Sequence, residues 1–197
     1  QLFLPLFGLF SFPHNSQAAL ITNGANAIDM LGQYDEASLS DPQPSYTKGA
    51  AHDAPNRLGF SSPQGAAFDS VHHRLFISDT SNNRVLVYNL NTDNTLPDRV
   101  PDNVLGQTNF ASNAAGAATQ AKMSGPYGLA YDSTNNRLFV AESGYSRVVV
   151  YDVTAITDGE NVVNVLGQPN FTTSSGQATQ AKMSSPRGVV YDSTNSR

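Results

Sequence analysis

The chain contains no cysteine, and only three of its 197 residues are lysines. The lack of cysteine excludes disulfide bonds, thiolate chemistry and zinc–thiolate sites, and leaves the redox compartment open. Acidic residues outnumber basic ones, which gives a formal net charge of -5 at pH 7. Because phosphate backbones are bound mainly by Lys and Arg, this balance predicts that nucleic acid is not a partner.

Long hydrophobic runs are also lacking, with one short exception at the start. Residues 1–12, QLFLPLFGLFSF, are nearly all apolar, but a membrane-spanning helix needs roughly 20 residues, so no membrane span is predicted. Small residues at Ser16 and Ala18 suit cleavage after Ala18, and the segment is interpreted as a secretory signal peptide. It has no initiating Met or basic start, so we expect it to be clipped. The alternative is an apolar strand of the folded domain.

A long internal repeat is the main feature that the sequence does have. Gly65–Asn89, GAAFDSVHHRLFISDTSNNRVLVYN, returns as Gly128–Asp152, GLAYDSTNNRLFVAESGYSRVVVYD, and a third copy begins at Gly188. Arg137 follows Arg74 by 63 positions, and Tyr191 follows Tyr131 by 60. A period of this size with several short strands per unit is typical of a propeller or another repeat array.

Each repeat predicts three short strands and an outer fourth one. The first has the pattern Gly-x-x-aromatic-Asp, the second begins at Arg74 or Arg137, and the third begins at Arg84 or Arg147. The fourth is the Val-Leu-Gly-Gln segment. Consecutive apolar positions within these strands predict sheets that are covered on both faces, as blades stacked around an axis would be.

These residues resemble the NHL-repeat β-propeller family. The matching stretches begin with Pro-x-Gly, continue to Asp at the end of the first strand, and place Asn-x-Arg or a similar triplet before an apolar strand. They are Pro63 to Asp69, Asn83 to Tyr88, Pro126 to Asp132, Arg137 to Val140, Arg147 to Asp152 and Pro186 to Asp192. The resemblance implies an all-β propeller. Since propellers have about four to eight blades and two complete repeats are present, we expect an incomplete open arc of four-stranded antiparallel blades.

The predicted organisation has five parts in chain order. They are a signal peptide at 1–18, an outer-type strand with a Pro/Ser-rich loop at 19–57, a first NHL blade at 58–107, a second at 108–168 and the start of a truncated third blade at 169–197.

Two kinds of segment lie outside the repeated strands. Ala27 to Gln33, AIDMLGQ, resembles the two later NVLGQ segments and predicts an outer strand, either unpaired or alongside the first blade. In the intact protein it could complete the last blade. The connections after Gln107 and Gln168 share Gln-Ala-Lys-Met, for which we expect one helical turn.

His72 and His73 are the first candidates for a metal site. They fall in the turn between the first and second strands, where the other copies have Asn135-Asn136 and Asn195-Ser196. A position that Asn or Ser occupies elsewhere is a turn position first. His14 and His52 lie far away in sequence, so no spacing suggests a shared ion. We therefore predict neither a metal site nor a cofactor, and no catalytic residue.

A polar loop between the second and third strands recurs in both repeats. The candidate ligand-binding residues are Asp79, Asn83, Arg84, Glu142, Tyr145 and Arg147. One interpretation is a ring of acid, amide and guanidinium groups on one face. The other, which we favour, is that the acid caps the loop and the Arg packs on a neighbouring blade. Asp69, Asp132 and Asp192 are expected to accept hydrogen bonds from turn amides.

The preferred function is a secreted or envelope-associated propeller that binds a protein, small molecule or glycan through loops on one ring face. The alternative is a metal-dependent enzyme that resembles an amidating lyase or a lactonase, with its site mostly in other blades. The inner strands, which begin with Gly65, Gly128 and Gly188, carry no His, and this weighs against the lyase. RNA binding would need a basic face. Asn170-Phe171-Thr172 is a formal glycosylation acceptor if the source glycosylates secreted proteins.

Overall fold

The computed structural model describes residues 25–27, 29–34, 43 and 55–195. The signal peptide predicted at 1–18, most of the Pro-rich connection, and His14 and His52 lie outside these residues. Within them, no helix combines the length and the apolar character needed to cross a membrane.

Two four-stranded sheets make up the fold. The first contains β1 (Pro63–Asp69), β2 (Arg74–Asp79), β3 (Arg84–Asn89) and β4 (Asn103–Leu105). The second contains β5 (Pro126–Asp132), β6 (Arg137–Glu142), β7 (Arg147–Asp152) and β8 (Asn164–Leu166). In each sheet the strands follow chain order and every neighbouring pair is antiparallel. The predicted starts of the second and third strands at arginine are confirmed, and the first strands begin at Pro, two residues before the predicted Gly.

The turns between strands depend on residues that accept a left-handed backbone. His73 and Asn136 have φ values of 55° and 52° just before β2 and β6, and Asn83 and Ser146 have 54° and 52° just before β3 and β7. Asn is among the residues that adopt this conformation at low cost. The repeated pattern therefore places a tight turn immediately before each arginine-led strand.

The two sheets pack face to face, and Gly65 permits a close contact between them. A Cβ on Gly65 would lie 2.3 Å from the carbonyl oxygen of Tyr127 in the second sheet. The Ser78 hydroxyl donates to that same oxygen at 2.8 Å and accepts from the Gly65 amide at 2.7 Å. Thr80 donates to the Pro126 carbonyl at 2.5 Å. One apolar core runs through both sheets and includes fully buried Phe76 and Leu138.

This arrangement is an open arc of two β-propeller blades. Each blade is a four-stranded antiparallel meander, and the inner strand of one sheet, β1, contacts the inner strand of the other, β5. The strands buried on both faces, for example the run Val85 to Tyr88 in β3, follow from this stacking. The prediction of all-β propeller blades is confirmed.

The third copy of the motif lies against the second blade without forming a strand. The Gly128 amide donates to the Arg187 carbonyl at 2.9 Å, and the Arg187 guanidinium lies 4.9 Å from the ring centroid of Tyr127. The Tyr191 ring stacks on Phe139 at 5.6 Å, as Tyr131 stacks on Phe76 at 6.0 Å. The start of the third motif thus has the same position relative to blade two as blade two has relative to blade one.

The segment at 29–34 lies alongside the first blade, one of the two predicted arrangements, and its residues 29–33 form no strand. Gly32 has φ 82° and packs against Phe60. In the same way Gly106 (φ 81°) packs against Met123 and Gly167 (φ 80°) packs against Met183. The segment therefore takes the position that an outer strand of a preceding blade would have.

The predicted helical turns at Gln-Ala-Lys-Met are wrong. Residues 120–123 and 180–183 contain no helix. In the first copy the Thr119 hydroxyl accepts the Lys122 amide at 3.1 Å. In the second copy the Thr179 and Lys182 backbones form an antiparallel bridge. A threonine that closes a tight turn ahead of these residues replaces the i→i−4 bonds of a helix.

Candidate functional site

The turn between the first two strands of each blade is built around a carboxylate. Asp69 Oδ1 accepts the amides of Val71 at 3.1 Å and His72 at 2.9 Å. Asp132 and Asp192 accept the equivalent amides in the other copies. The prediction that these aspartates bind turn amides is confirmed. Burial opposes ionisation of Asp69, but hydrogen bonds from the His72 amide and the Arg74 guanidinium outweigh it and lower the pKa.

The two histidines of this turn bind different partners. His72 Nδ1 lies 3.1 Å from Asp69 Oδ2 and 3.2 Å from the hydroxyl of Tyr131 in the next blade. His73 has the left-handed backbone and lies 2.7 Å from Asn94 Oδ1 through its own Nδ1. The interpretation of both as turn residues is confirmed. The described part of the chain brings together no group of three or more potential metal ligands.

Arg74 connects this turn to the second blade. Its Nε and one terminal nitrogen donate to Asp69 Oδ2 at 3.0 and 2.6 Å, and the other terminal nitrogen donates to the Val153 carbonyl. The Tyr131 hydroxyl lies 3.4 Å from the guanidinium. Burial and the hydrogen bond to Asp69 raise the pKa of Tyr131 to about 12, so this phenol stays protonated and serves as a hydrogen-bonding group at neutral pH.

A cleft of about 340 Å³ opens beside Arg74, where the two blades meet. Its lining combines the first-blade residues with two residues that follow β7. The lining residues are His72, Arg74, Asn89, Asn103, Thr154 and Ile156. The cleft lies at the edge of the arc that carries the β1–β2 turn.

A loop from the second blade holds one wall of this cleft in place. Asp158 accepts the side-chain amide of Asn103 at 3.2 Å and the backbone amide of Val104 at 3.0 Å. The Gly159 amide donates to the Val104 carbonyl at 3.0 Å. These contacts bind the second blade to β4, the outer strand of the first. The cleft is therefore framed by two blades that are fixed to each other on both sides of it.

The six residues predicted from the recurring polar loop lie at the opposite ends of β2 and β6. Asp79, Arg84, Glu142 and Arg147 are fully buried, and Tyr145 is 5% exposed. The functional groups of these five therefore lie in the protein interior, apart from the open cleft, while Asn83 is partly exposed. Ligand binding by this set stays a prediction.

Each buried arginine of this set holds two loops, one that precedes the first strand of its blade and one that follows the outer strand. Arg84 pairs with Asp79 at 2.7 Å and donates to the carbonyls of Phe110 at 2.5 Å and Gly59 at 2.9 Å. Arg147 pairs with Glu142 at 2.5 Å and donates to the carbonyl of Phe171 at 2.6 Å. Arg84 and Arg147, which have equivalent positions in the two blades, therefore bind equivalent Asn-Phe segments.

The neutral members of the set also bind loop backbone. Asn83 donates to the Asn113 carbonyl at 2.9 Å and accepts the Gly125 amide at 2.8 Å. The Tyr145 hydroxyl donates to the Ala115 carbonyl at 2.6 Å.

The two carboxylates of the set differ in how far they are satisfied. Asp79 accepts from the Ser61 amide at 2.6 Å through Oδ1, and from Asn82 and Arg84 through Oδ2. Glu142 accepts from Arg147 through Oε2, while its buried Oε1 has no hydrogen-bond partner among the described residues. Burial raises the pKa of Glu142 to about 7 against the opposing charge of Arg147.

Sequence reasoning missed the cleft residues Asn89, Asn103 and Thr154. Asn89 ends β3 at the position that Asp152 has in the second blade, and this change of residue was the available signal. Thr154 comes from the next blade. Because the cleft exists only where two blades meet, no spacing within one repeat indicates it.

No protein-family model and no curated protein matches this sequence. Solved structures give similarities at low identity. A chain of a nidogen/laminin complex is 20% identical with a TM-score of 0.42, over 68% of this chain and 36% of that one. Hydrazine synthase of Kuenenia stuttgartiensis is 13% identical with a TM-score of 0.43, over 75% and 30%. The calcium-binding protein regucalcin of Agrobacterium tumefaciens is 16% identical with a TM-score of 0.39, over 58% and 33%. The chain thus spans about a third of the length of each.

Proposed function

We propose that this protein is a secreted or envelope-associated NHL-type β-propeller that binds its ligand at the edge of the arc. The observation that carries the proposal is the polar cleft between the two blades. Its walls are held by contacts between blades, while Asn89 and Thr154 are exposed to solvent. A pre-formed cleft with a few placed polar groups is the usual form of a ligand site.

The chemistry of the cleft suits an uncharged, polar ligand such as a glycan or a polar peptide loop. Arg74 already directs its donors to Asp69 and to the Val153 carbonyl, so the cleft offers no unengaged cation for a strongly anionic ligand. The amides of Asn89 and Asn103 can both donate and accept. Ile156 adds one apolar contact.

Assignment to the NHL type is supported by where the motif residues lie in the blades. The motif Asp closes the first turn by binding its amides, and the motif Arg begins the second and third strands. The extracytoplasmic location rests on residues 1–18 and their cleavage pattern. N-terminal sequencing of the full chain, expressed behind an initiating Met, would show a start at Ala19 if that leader is processed.

Binding can be tested by screening the full chain on a glycan array and a displayed peptide library. Asn89→Ala removes a side-chain amide from the cleft. His72→Asn removes the imidazole and introduces the residue that the second blade has at this position. There Asn135 donates to Asp132 at 2.7 Å, so the turn should be kept. Asn113→Ala, on the opposite edge, is the control. Loss of one polar contact should weaken binding roughly tenfold. A bound ligand that is insensitive to both cleft changes, or no ligand at all, would contradict the proposal.

A further inference from the structure

The loop after β8 contains a feature that ligand binding does not use. Asn170-Phe171-Thr172 is the single Asn-x-Ser/Thr triplet in the chain. Both Asn170 and Thr172 are exposed to solvent, and neither belongs to a strand. Asn170 Oδ1 accepts the Thr172 amide and the Thr172 hydroxyl, both at 3.0 Å. The asparagine and threonine are therefore held together by their own turn.

This turn uses only the carbonyl half of the Asn170 amide. Among the described residues, no hydrogen bond is donated by Asn170 Nδ2. Other asparagines of the fold do use this nitrogen, for example Asn135 with Asp132 and Asn83 with the Asn113 carbonyl. A substituent on Asn170 Nδ2 would consequently leave the contacts of Oδ1 in place.

Phe171, between Asn170 and Thr172, anchors the turn to the body of the blade. The Phe171 side chain packs against the apolar core that runs through both blades. Its carbonyl accepts a hydrogen bond from buried Arg147 at 2.6 Å. Anchoring at Phe171 presents Asn170 to solvent without requiring that the blade open.

We propose that Asn170 is a site of N-linked glycosylation. The reaction forms a bond between Nδ2 and the anomeric carbon of an oligosaccharide that is activated as a polyprenyl pyrophosphate. Nδ2 loses one proton and the polyprenyl pyrophosphate leaves, with no change of oxidation state. The proposal rests on the extracytoplasmic location put forward above, because such acceptors are modified in secreted proteins.

The first blade has an equivalent turn at Asn109, which lacks only the hydroxyl group that Thr172 provides. Asn109 Oδ1 accepts the Ala111 amide and the Ser112 hydroxyl, both at 3.0 Å. The carbonyl of Phe110 is held by Arg84, as that of Phe171 is held by Arg147. Asn109 differs in having Ala111 at the position of Thr172. Ala111→Thr should therefore convert it into a second acceptor.

The test is expression of the full chain in eukaryotic cells behind a cleavable leader taken from another secreted protein. Intact mass would be measured before and after a glycosidase that cleaves the Asn–sugar bond. We expect one glycan on the wild type, none on Thr172→Ala, one on Thr172→Ser and two on Ala111→Thr. Ala111→Thr is expected to gain a glycan, and a gain cannot result from misfolding or poor expression of the variant.

An unmodified wild type overturns the proposal, whether or not Ala111→Thr is modified. A parallel expression with residues 1–18 as the leader separates the site from the location. A product that is modified with the foreign leader and unmodified with residues 1–18 would refute the proposed location, while the chemistry of Asn170 would stand. Modification with both leaders supports the site and the location together.

Discussion

Glu142 is the residue whose replacement tests the electrostatics of the fold most directly. Its side chain is fully buried, one oxygen binds Arg147, and the other has no partner among the described residues. Burial raises its pKa from 4.5 to about 7, because loss of solvation outweighs the attraction of Arg147. A folded protein with such a group binds more protons than the unfolded chain between these two pH values.

The sign of the resulting pH dependence is fixed by linkage. For a carboxyl whose pKa is raised on folding, stability is lost as the pH rises from the unfolded value toward the folded one. One pKa unit corresponds to about 1.4 kcal/mol. Glu142 should therefore lower the free energy of unfolding by about 2 to 3 kcal/mol between roughly pH 5 and pH 8.

Glu142→Gln removes this titration and keeps the shape of the side chain. Relative to the wild type, the variant should gain about 2 to 3 kcal/mol of stability between roughly pH 5 and pH 8. The free energy of unfolding would be measured by urea denaturation at both pH values. Taking the difference between the two proteins cancels the pH dependence that the other carboxylates contribute. Asp79→Asn, at the equivalent position, measures the cost of breaking a fully hydrogen-bonded pair, about 3 to 5 kcal/mol at pH 8.

The opposite trend would refute the reasoning. If Glu142→Gln loses stability relative to the wild type as the pH rises, then attraction to Arg147 outweighs the burial of the carboxylate. In that case the unpartnered oxygen carries no energetic cost, and both carboxylate–arginine pairs act alike.

Two further predictions concern the contact between blades. Gly65→Ala should destabilise the protein by about 1 to 3 kcal/mol in urea denaturation, because its Cβ would lie 2.3 Å from the Tyr127 carbonyl oxygen. Gly188→Ala is its control at the equivalent position, since a Cβ there has no neighbour within 4 Å, and equal effects would show that blade contact is not the cause. Ser78→Ala should cost about 1 to 3 kcal/mol because the Gly65 amide and the Tyr127 carbonyl lose a partner. Ser70 is exposed, so Ser70→Ala should leave the urea midpoint of unfolding unchanged. A Ser78→Ala variant as stable as the wild type would show that the hydrogen bonds of Ser78 between the blades do not stabilise the fold.

The sequence alone predicted the blade, the starts of its second and third strands and the turns before them. The second and third strands of each repeat begin with an arginine that follows a turn residue, and the local backbone preference of that residue places the turn. The turn interpretation of His72 and His73 came from comparing equivalent positions. The prediction of helical turns at Gln-Ala-Lys-Met was wrong because a preceding threonine closes each segment, through its hydroxyl in the first copy and through a backbone bridge in the second.

What only the tertiary structure decided is where the chain buries its charges and where it stays open. The recurring acid and arginine have the same spacing whether they face a ligand or the interior, so the sequence favoured the structural interpretation without excluding the other. Stacking the blades places Asp79 and Arg84 in the interior and opens a cleft at the other edge, between Asn89 and Thr154. A periodic sequence determines the unit, because the unit is held by local bonds. The surfaces between units arise from residues that are distant in sequence, for example 46 positions for Thr80 and Pro126 and 79 positions for Arg74 and Val153, and only packing brings those together.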